Sequence, residues 1–171
     1  MTITFADLPE VPAAKYHRVA AYSTPSANTW HDVVWDVTNT DESTFGFNRT
    51  GAIITTSFDG IFNVAGCIRP TWNGADSQWE FVTVYVRGVT SSDNGVTWDE
   101  ARCIQTLGIR ARQVGVMTTL RYAGTVLASN GLQFKIQYQV DDVNMDLEGS
   151  SVFDDPVSAS LHLEYISKKT I

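Results

Sequence analysis

Six carboxylates fall within fifteen residues of the chain: Asp141, Asp142, Asp146, Glu148, Asp154 and Asp155. Oxygen ligands at this density are what a calcium ion takes, which makes Asp141, Asp142 and Asp146 the candidate metal ligands. The stretch lacks the alternating ligand order and central glycine of an EF-hand loop, so a solvated acidic loop without calcium is the favoured expectation. His17, His31 and His162 stand far apart with no HxH or HExxH spacing, so they write neither a metal site nor a nucleophile–base pair. Cys67 and Cys103 are separated by thirty-five positions without a CxxC partner, which predicts free thiols and leaves their pairing open. No GxSxG, phosphate-cradling glycine loop or dinucleotide fingerprint occurs. A cupin-like enzyme would need clustered histidines and carboxylates that this spacing does not offer, so no catalytic residue, no cofactor and no enzyme activity are expected.

Trp30, Trp72, Trp79, Trp98, Phe45 and Phe47 could stack on sugar rings, although packing in a core or between subunits is the commoner use of such side chains. Trp72 and Trp98 border loops, in Trp72-Asn73-Gly74 and Val96-Thr97-Trp98, and are the two candidates for ligand-facing positions.

The elements that must carry these residues are strands. The chain has 171 residues, of which 43% are hydrophobic and only 18% charged. That length and that apolar fraction support one domain with a sizeable core, and the shortage of charge suits a β-sandwich with large covered surfaces. A formal charge of −7 argues against a groove for nucleic acid, because such affinity comes largely from clustered cations. Arg110 and Arg112 would share one strand face, read as a solvated or subunit-facing stripe. No apolar run approaches the roughly twenty residues of a membrane helix, and Met1–Asp7 lacks the basic start and apolar core of a signal peptide.

Residues 1–14, with Pro9 and Pro12 among Phe5, Leu8 and Val11, read as an extended arm suited to docking on a partner. A single domain is expected over 15–171. A first strand is predicted around Tyr16, Val19 and Tyr22, and a second over Asp32–Val37. Two apolar runs around Phe58-Asp59-Gly60 predict a tight hairpin with strands at 50–57 and 60–70, the second ending at Pro70. In Trp79–Gly88 the aromatic Trp79, Phe81 and Tyr85 share one face and Val82, Val84 and Val86 the other. Asn94-Gly95 supplies a turn. Leu132, Phe134, Ile136, Tyr138 and Val140 alternate strictly with Gln133, Lys135, Gln137 and Gln139, the clearest half-buried strand of the chain. A last strand is predicted over Val157–Ile166, and neither helix nor repeat is visible.

This order of elements resembles the globular domains of the complement C1q and tumour necrosis factor family. The similarity rests on Gly51–Ser57 followed by Gly60-Ile61-Phe62-Asn63-Val64, on Leu127-Ala128-Ser129-Asn130-Gly131-Leu132 opening the alternating strand, and on the closing Ala159–Ile166. The resemblance implies an all-β, ten-stranded jelly roll of two antiparallel sheets that forms a homotrimer through one sheet. Phe62, Trp79, Phe81, Tyr85, Tyr138 and Tyr165 are the candidate trimer-interface residues. With neither a collagen stalk nor an export segment in view, the expectation is a non-enzymatic bacteriophage structural protein on the virion surface. It would serve as a head fibre, decoration protein or receptor-binding knob, with the arm on a capsid or tail protein. The alternative is a carbohydrate-binding module using Trp72 and Trp98 on a cell-surface glycan.

Overall fold

Strict alternation in the sequence places one face of the Leu132–Val140 run in a core, and the fold is organised around it. In the computed structural model Leu132 and Val140 are buried together with Phe134, Ile136 and Tyr138. The structure describes residues 12–18, 24, 26–35, 37–38, 46–72, 80–111, 119–147 and 158–167; at 37, 38, 80, 81 and 101–111 it describes the backbone alone.

Thirteen strands occur among the described residues: β1 Ala13–Arg18, β2 His31–Asp32, β3 Val37–Thr38, β4 Phe47–Thr50, β5 Ile53–Thr56, β6 Gly60–Ile68, β7 Pro70–Trp72, β8 Glu80–Ser91, β9 Asp99–Ala111, β10 Leu120–Ala128, β11 Gln133–Val140, β12 Met145–Leu147 and β13 Ala159–Ser167. Ten of them form two five-stranded paths, β10-β6-β13-β1-β3 and β4-β5-β11-β8-β9, with β2 added to the second beside β11. The strands β7 and β12 make a separate ribbon. The described pairings are antiparallel. This is the ten-stranded jelly roll that the resemblance implies, with three short strands added.

The core forms where the inner faces meet. From the first sheet come Tyr16, Phe62, Val64, Ile68, Leu161 and Leu163, and from the second Ile54, Val82, Val84, Val86, Phe134 and Ile136. Five aromatic rings bridge the sheets. Phe62 of β6 packs edge-on against Phe47 of β4 at 5.3 Å, against Phe134 of β11 at 5.8 Å and against Phe58 at 6.3 Å. Phe58 in turn meets Phe47 at 5.1 Å and Tyr165 of β13 at 5.5 Å. Edge-to-face pairs at these separations add to the stabilisation from burial alone.

The structure corrects the predicted hairpin. The tight turn is Gly51-Ala52, which joins β4 to β5 with Thr50 opposite Ile53. Gly51 has φ +61° and Ala52 does not share a positive φ, the pattern of a two-residue turn with glycine first. At Ser57-Phe58-Asp59 the chain does not fold back on β5; it crosses from the second sheet to the first, where β6 pairs with β10 and β13. Phe58 pins that crossing by packing into the aromatic cluster, so the residues that look like a turn are a corner of the sandwich.

Other boundaries shift for similar reasons. The β1 strand starts at Ala13, because Ala14 is a core residue and Ala13 pairs with Glu164. It ends at Arg18, and Val19 and Tyr22 lie outside the described residues. The predicted strand over 32–37 divides: β2 belongs to the second sheet and β3 to the first, with Val33 and Trp35 buried between them. The strand expected to run to Pro70 stops at Ile68, and Pro70 opens β7 in the ribbon, whose partner β12 has Leu147 opposite it. A proline lacks an N–H, which suits such an edge.

Candidate binding surfaces

Residues that alternate inward in β1, β13, β6 and β10 leave the intervening ones on the outer face of the first sheet. Register aligns His17, Ser160, Cys67 and Arg121 in one row and Lys15, His162, Ala65 and Ala123 in the next. Because the outward residues Ala65, Ala123 and Ser160 are small, the sheet is hollowed there. An open trough of about 510 Å³ runs over Ala65, Ala123 and Gly124 between Asn63, His162 and Glu164. Beside it a depression of about 220 Å³ is bounded by Lys15, His17, Gly66, Ser160 and His162. The Cys67 thiol is free and half-buried, 3.2 Å from the Ser160 hydroxyl. Of Cys103 only the backbone is described.

The outer face of the second sheet is built differently. Arg87 of β8 lies opposite Gln137 of β11, which lies opposite Asp32 of β2. The Arg87 Nε donates to Gln137 Oε1 at 2.9 Å, and Gln137 Nε2 donates to Asp32 Oδ1 at 2.7 Å. Lys135 Nζ donates to the other Asp32 oxygen at 3.0 Å. Each cation also sits on an indole: Arg87 lies 4.0 Å from the Trp30 ring centroid and Lys135 Nζ 4.2 Å from that of Trp98. A cation over an indole face is attracted by the negative face of the ring.

The loop before β9 fixes Trp98. Asn94 and Gly95 both have positive φ, as the sequence predicts for this turn, and the Trp98 indole N–H donates to the Gly95 carbonyl at 3.1 Å. The Asp93 carboxylate accepts from the Thr97 amide at 2.9 Å, the Thr97 hydroxyl at 2.6 Å and the Ser91 hydroxyl at 2.7 Å. The Thr97 bonds first, and then Ser91, hold the Asp93 pKa down to about 2, against 3.8 ordinarily. A lowered folded-state pKa contributes stability that is present above the ordinary value and lost as pH falls through the lowered one. The loop is therefore expected to loosen between about pH 4 and pH 2. An NMR titration of the Asp93 carboxyl checks this: a midpoint near 3.8 would mean that the loop bonds do not form in solution.

The sequence-predicted site residues scatter. Phe62 and Tyr138 have 0% exposure within a single chain, so neither has surface to offer another subunit, and both are corrected to core residues. Tyr85 is 37% exposed, but on the outer face of the second sheet, and Tyr165 is half-buried against Phe58. Trp79 lies outside the described residues, and Phe81 is described in backbone only. Trp72 is 4% exposed, packed in the β7–β12 ribbon opposite Met145, and so is no ligand-facing residue. Trp98 is half-buried and keeps access to solvent.

The acidic candidates are backbone acceptors. Asp141 accepts from the Thr83 amide at 2.8 Å, Asp142 from the Asn144 amide at 2.8 Å, and Asp146 from the Thr24 amide at 2.8 Å. They point to three different segments, and no group of three metal-ligating side chains occurs among the described residues. Glu148, Asp154 and Asp155 lie outside those residues, as do Phe5, Leu8, Val11 and Arg112. His31 is buried and hydrogen-bonded to the Ser26 carbonyl, while His162 is exposed.

Neither outer face, with its residues, could be read from the sequence in full. Alternation assigns Gln133, Lys135, Gln137 and Gln139 to the outside of β11, but the neighbours Arg87, Asp32 and Trp30 follow only from strand register.

No family model matches the chain, and no curated protein matches it. Solved structures do. Murine APRIL superposes with a TM-score of 0.55 at 9% identity, over 92% of this chain and 100% of that one. The globular domain of zebrafish complement 1qA superposes with a TM-score of 0.56 at 12% identity, over 94% of this chain and 100% of that one. With the two five-stranded paths in the order described, the chain has the C1q and tumour necrosis factor-like jelly-roll fold.

Proposed function

We propose that the chain is a non-enzymatic, homotrimeric attachment domain on the surface of a bacteriophage particle, serving as a head fibre, decoration protein or receptor-binding knob. The hollowed outer face of the first sheet carries this reading. Ala65 and Ala123 let another backbone approach closely, and the trough of about 510 Å³ above them is filled by no side chain among the described residues. A stable contact needs roughly 800 Å² per partner, which the exposed face of a five-stranded sheet can supply. A closed threefold arrangement then presents three identical sets of loops and second-sheet faces, so that weak contacts multiply through avidity. Prolines among Phe5, Leu8 and Val11 support an extended arm that docks on a capsid or tail protein.

The interface is tested by Ala123→Arg, which places a charged side chain at an exposed position in the trough. The variant is expected to keep its β-sheet circular dichroism while its mass in light scattering falls to that of one chain. A variant that assembles as the unaltered protein does would remove this face from the interface. The setting is tested by mass spectrometry of purified particles, in which the chain is expected and its absence contradicts the reading.

The fold is proposed to need no metal. Because Asp141, Asp142 and Asp146 each cap backbone amides, a calcium chelator is expected to leave the melting temperature unchanged. A fall of several degrees would assign calcium to the acidic loop.

A further inference from the structure

We propose that the outer face of the second sheet is a platform for a carboxylate-bearing oligosaccharide, formed by Trp30, Arg87, Gln137, Asp32, Lys135 and Trp98. The inference deepens the attachment reading and rests on it for its purpose, while the platform itself lies within one chain.

The polar layer is fixed before any ligand arrives. Gln137 is 8% exposed, and both ends of its amide are engaged, by Arg87 on one side and Asp32 on the other. A chain of bonds running across three strands holds the two cations in place, so little side-chain freedom remains to be lost on binding. The cations in turn hold the indoles: Trp30 rests on Arg87, and Trp98 is held by Lys135 and by its bond to the Gly95 carbonyl. A cation covers only one face of a ring. No second ring or cation stacks on either indole among the described residues, and in the proposed platform the uncovered part of each ring meets the C–H face of a sugar.

Charge selects the ligand. Lys135 is neutralised by Asp32, whereas no carboxylate lies within ion-pair distance of Arg87 among the described residues. With Nε committed to Gln137, the Nη groups of the guanidinium remain to receive a carboxylate in the planar two-point manner that arginine favours. Among the described residues this face offers one unpaired cation, which suits a ligand whose carboxylates are spread one to a sugar ring better than the dense charge of a polyphosphate. Spacing points to more than one sugar ring. Lys135, which carries one stack, and Gln137, which holds the Arg87 of the other, are one two-residue strand repeat apart on β11, about 7 Å. Both cavities described above open on the other sheet, and a flat face suits ring stacking better than it suits a peptide.

Tetragalacturonate is the probe and neutral maltotetraose the control, followed by tryptophan fluorescence and calorimetry on the full chain. Saturable binding of tetragalacturonate is expected, at least tenfold tighter than that of maltotetraose and weakened at least tenfold by Arg87→Met. In NMR spectra of the unaltered chain the indole N–H signals of Trp30 and Trp98 are expected to shift, a readout that needs no variant to fold. The Ala123→Arg variant is expected to bind with the same affinity per chain, which separates failure of the trimer from failure of the platform. The proposal is overturned by the absence of saturable tetragalacturonate binding, by equal affinity for maltotetraose, by shifts that leave both indoles unmoved, or by undiminished affinity in a folded Arg87→Met protein.

Discussion

Phe62→Ala is expected to lower the unfolding free energy by about 4 kcal/mol, the middle of the range for removing a buried aromatic ring. The ring has 0% exposure and is the hub of the aromatic cluster, meeting Phe47 and Phe134 of the opposite sheet and Phe58 of the corner between the sheets. Its loss opens a cavity between two sheets, each stiffened by its own strand hydrogen bonds, which limits how far the site can collapse. In a domain of this size the change corresponds to a fall in melting temperature on the order of 10 °C. Urea denaturation measures it, and Phe62→Leu, which fills most of the space, should cost clearly less. The same experiment separates the core role from the subunit-contact role suggested by the sequence. Were Phe62 an interface residue, the substitution would change the mass of the assembly and leave the stability of a separated chain nearly intact.

Gly66→Ala should be comparably damaging, although it adds a single methyl group. A Cβ at this position would stand 2.1 Å from the Ser160 carbonyl oxygen and 2.6 Å from the Tyr122 hydroxyl oxygen. Gly66 lies between Tyr122 of β10 and Leu161 of β13, and its missing side chain lets the Tyr122 hydroxyl reach across β6 to donate to Ser160 O at 2.8 Å. Burial, which disfavours the phenolate, pushes the Tyr122 pKa well above its ordinary value, so the phenol stays a neutral donor. The phenol could swing aside, but the Ser160 carbonyl belongs to the central ladder of the sheet and cannot. The substitution is therefore expected to cost about 3 kcal/mol, at the upper end of overpacking effects. Tyr122→Phe alone should cost about 1 kcal/mol, for one lost hydrogen bond. Combining the two should not restore stability, because the backbone clash remains. Recovery in the double variant would show that the tyrosine, not the strand, is what excludes a side chain at Gly66.

These two positions also show where the sequence is legible. The inner faces of β8, β11 and β13 follow from alternation, since Val82, Val84 and Val86, then Phe134, Ile136 and Tyr138, then Leu161 and Leu163, are apolar at every second residue. The turn at Asn94-Gly95 follows from its residue types. The corner at Phe58 does not, because Phe58-Asp59-Gly60 has the composition of a turn whether the next strand pairs with the last or joins the opposite sheet. Only the docking of Phe58 against Phe47 and Tyr165 decides between them. Alternation likewise separates inside from outside without saying what an outside face is for. Ala65, Ala123 and Gly124 become a trough only when β6 and β10 are placed side by side, and Trp30 meets Arg87 only once β2, β11 and β8 are in register. Two of the aromatic residues expected at a subunit contact, Phe62 and Tyr138, proved to be fully buried, because large apolar side chains fill the interior of a sandwich first.

The central claim, that the hollowed face of the first sheet joins copies of the chain, is tested most directly by the mass of the unaltered protein in solution. Multi-angle light scattering at micromolar concentration is predicted to give three times the 18.9 kDa of one chain. A single species at 18.9 kDa would contradict it.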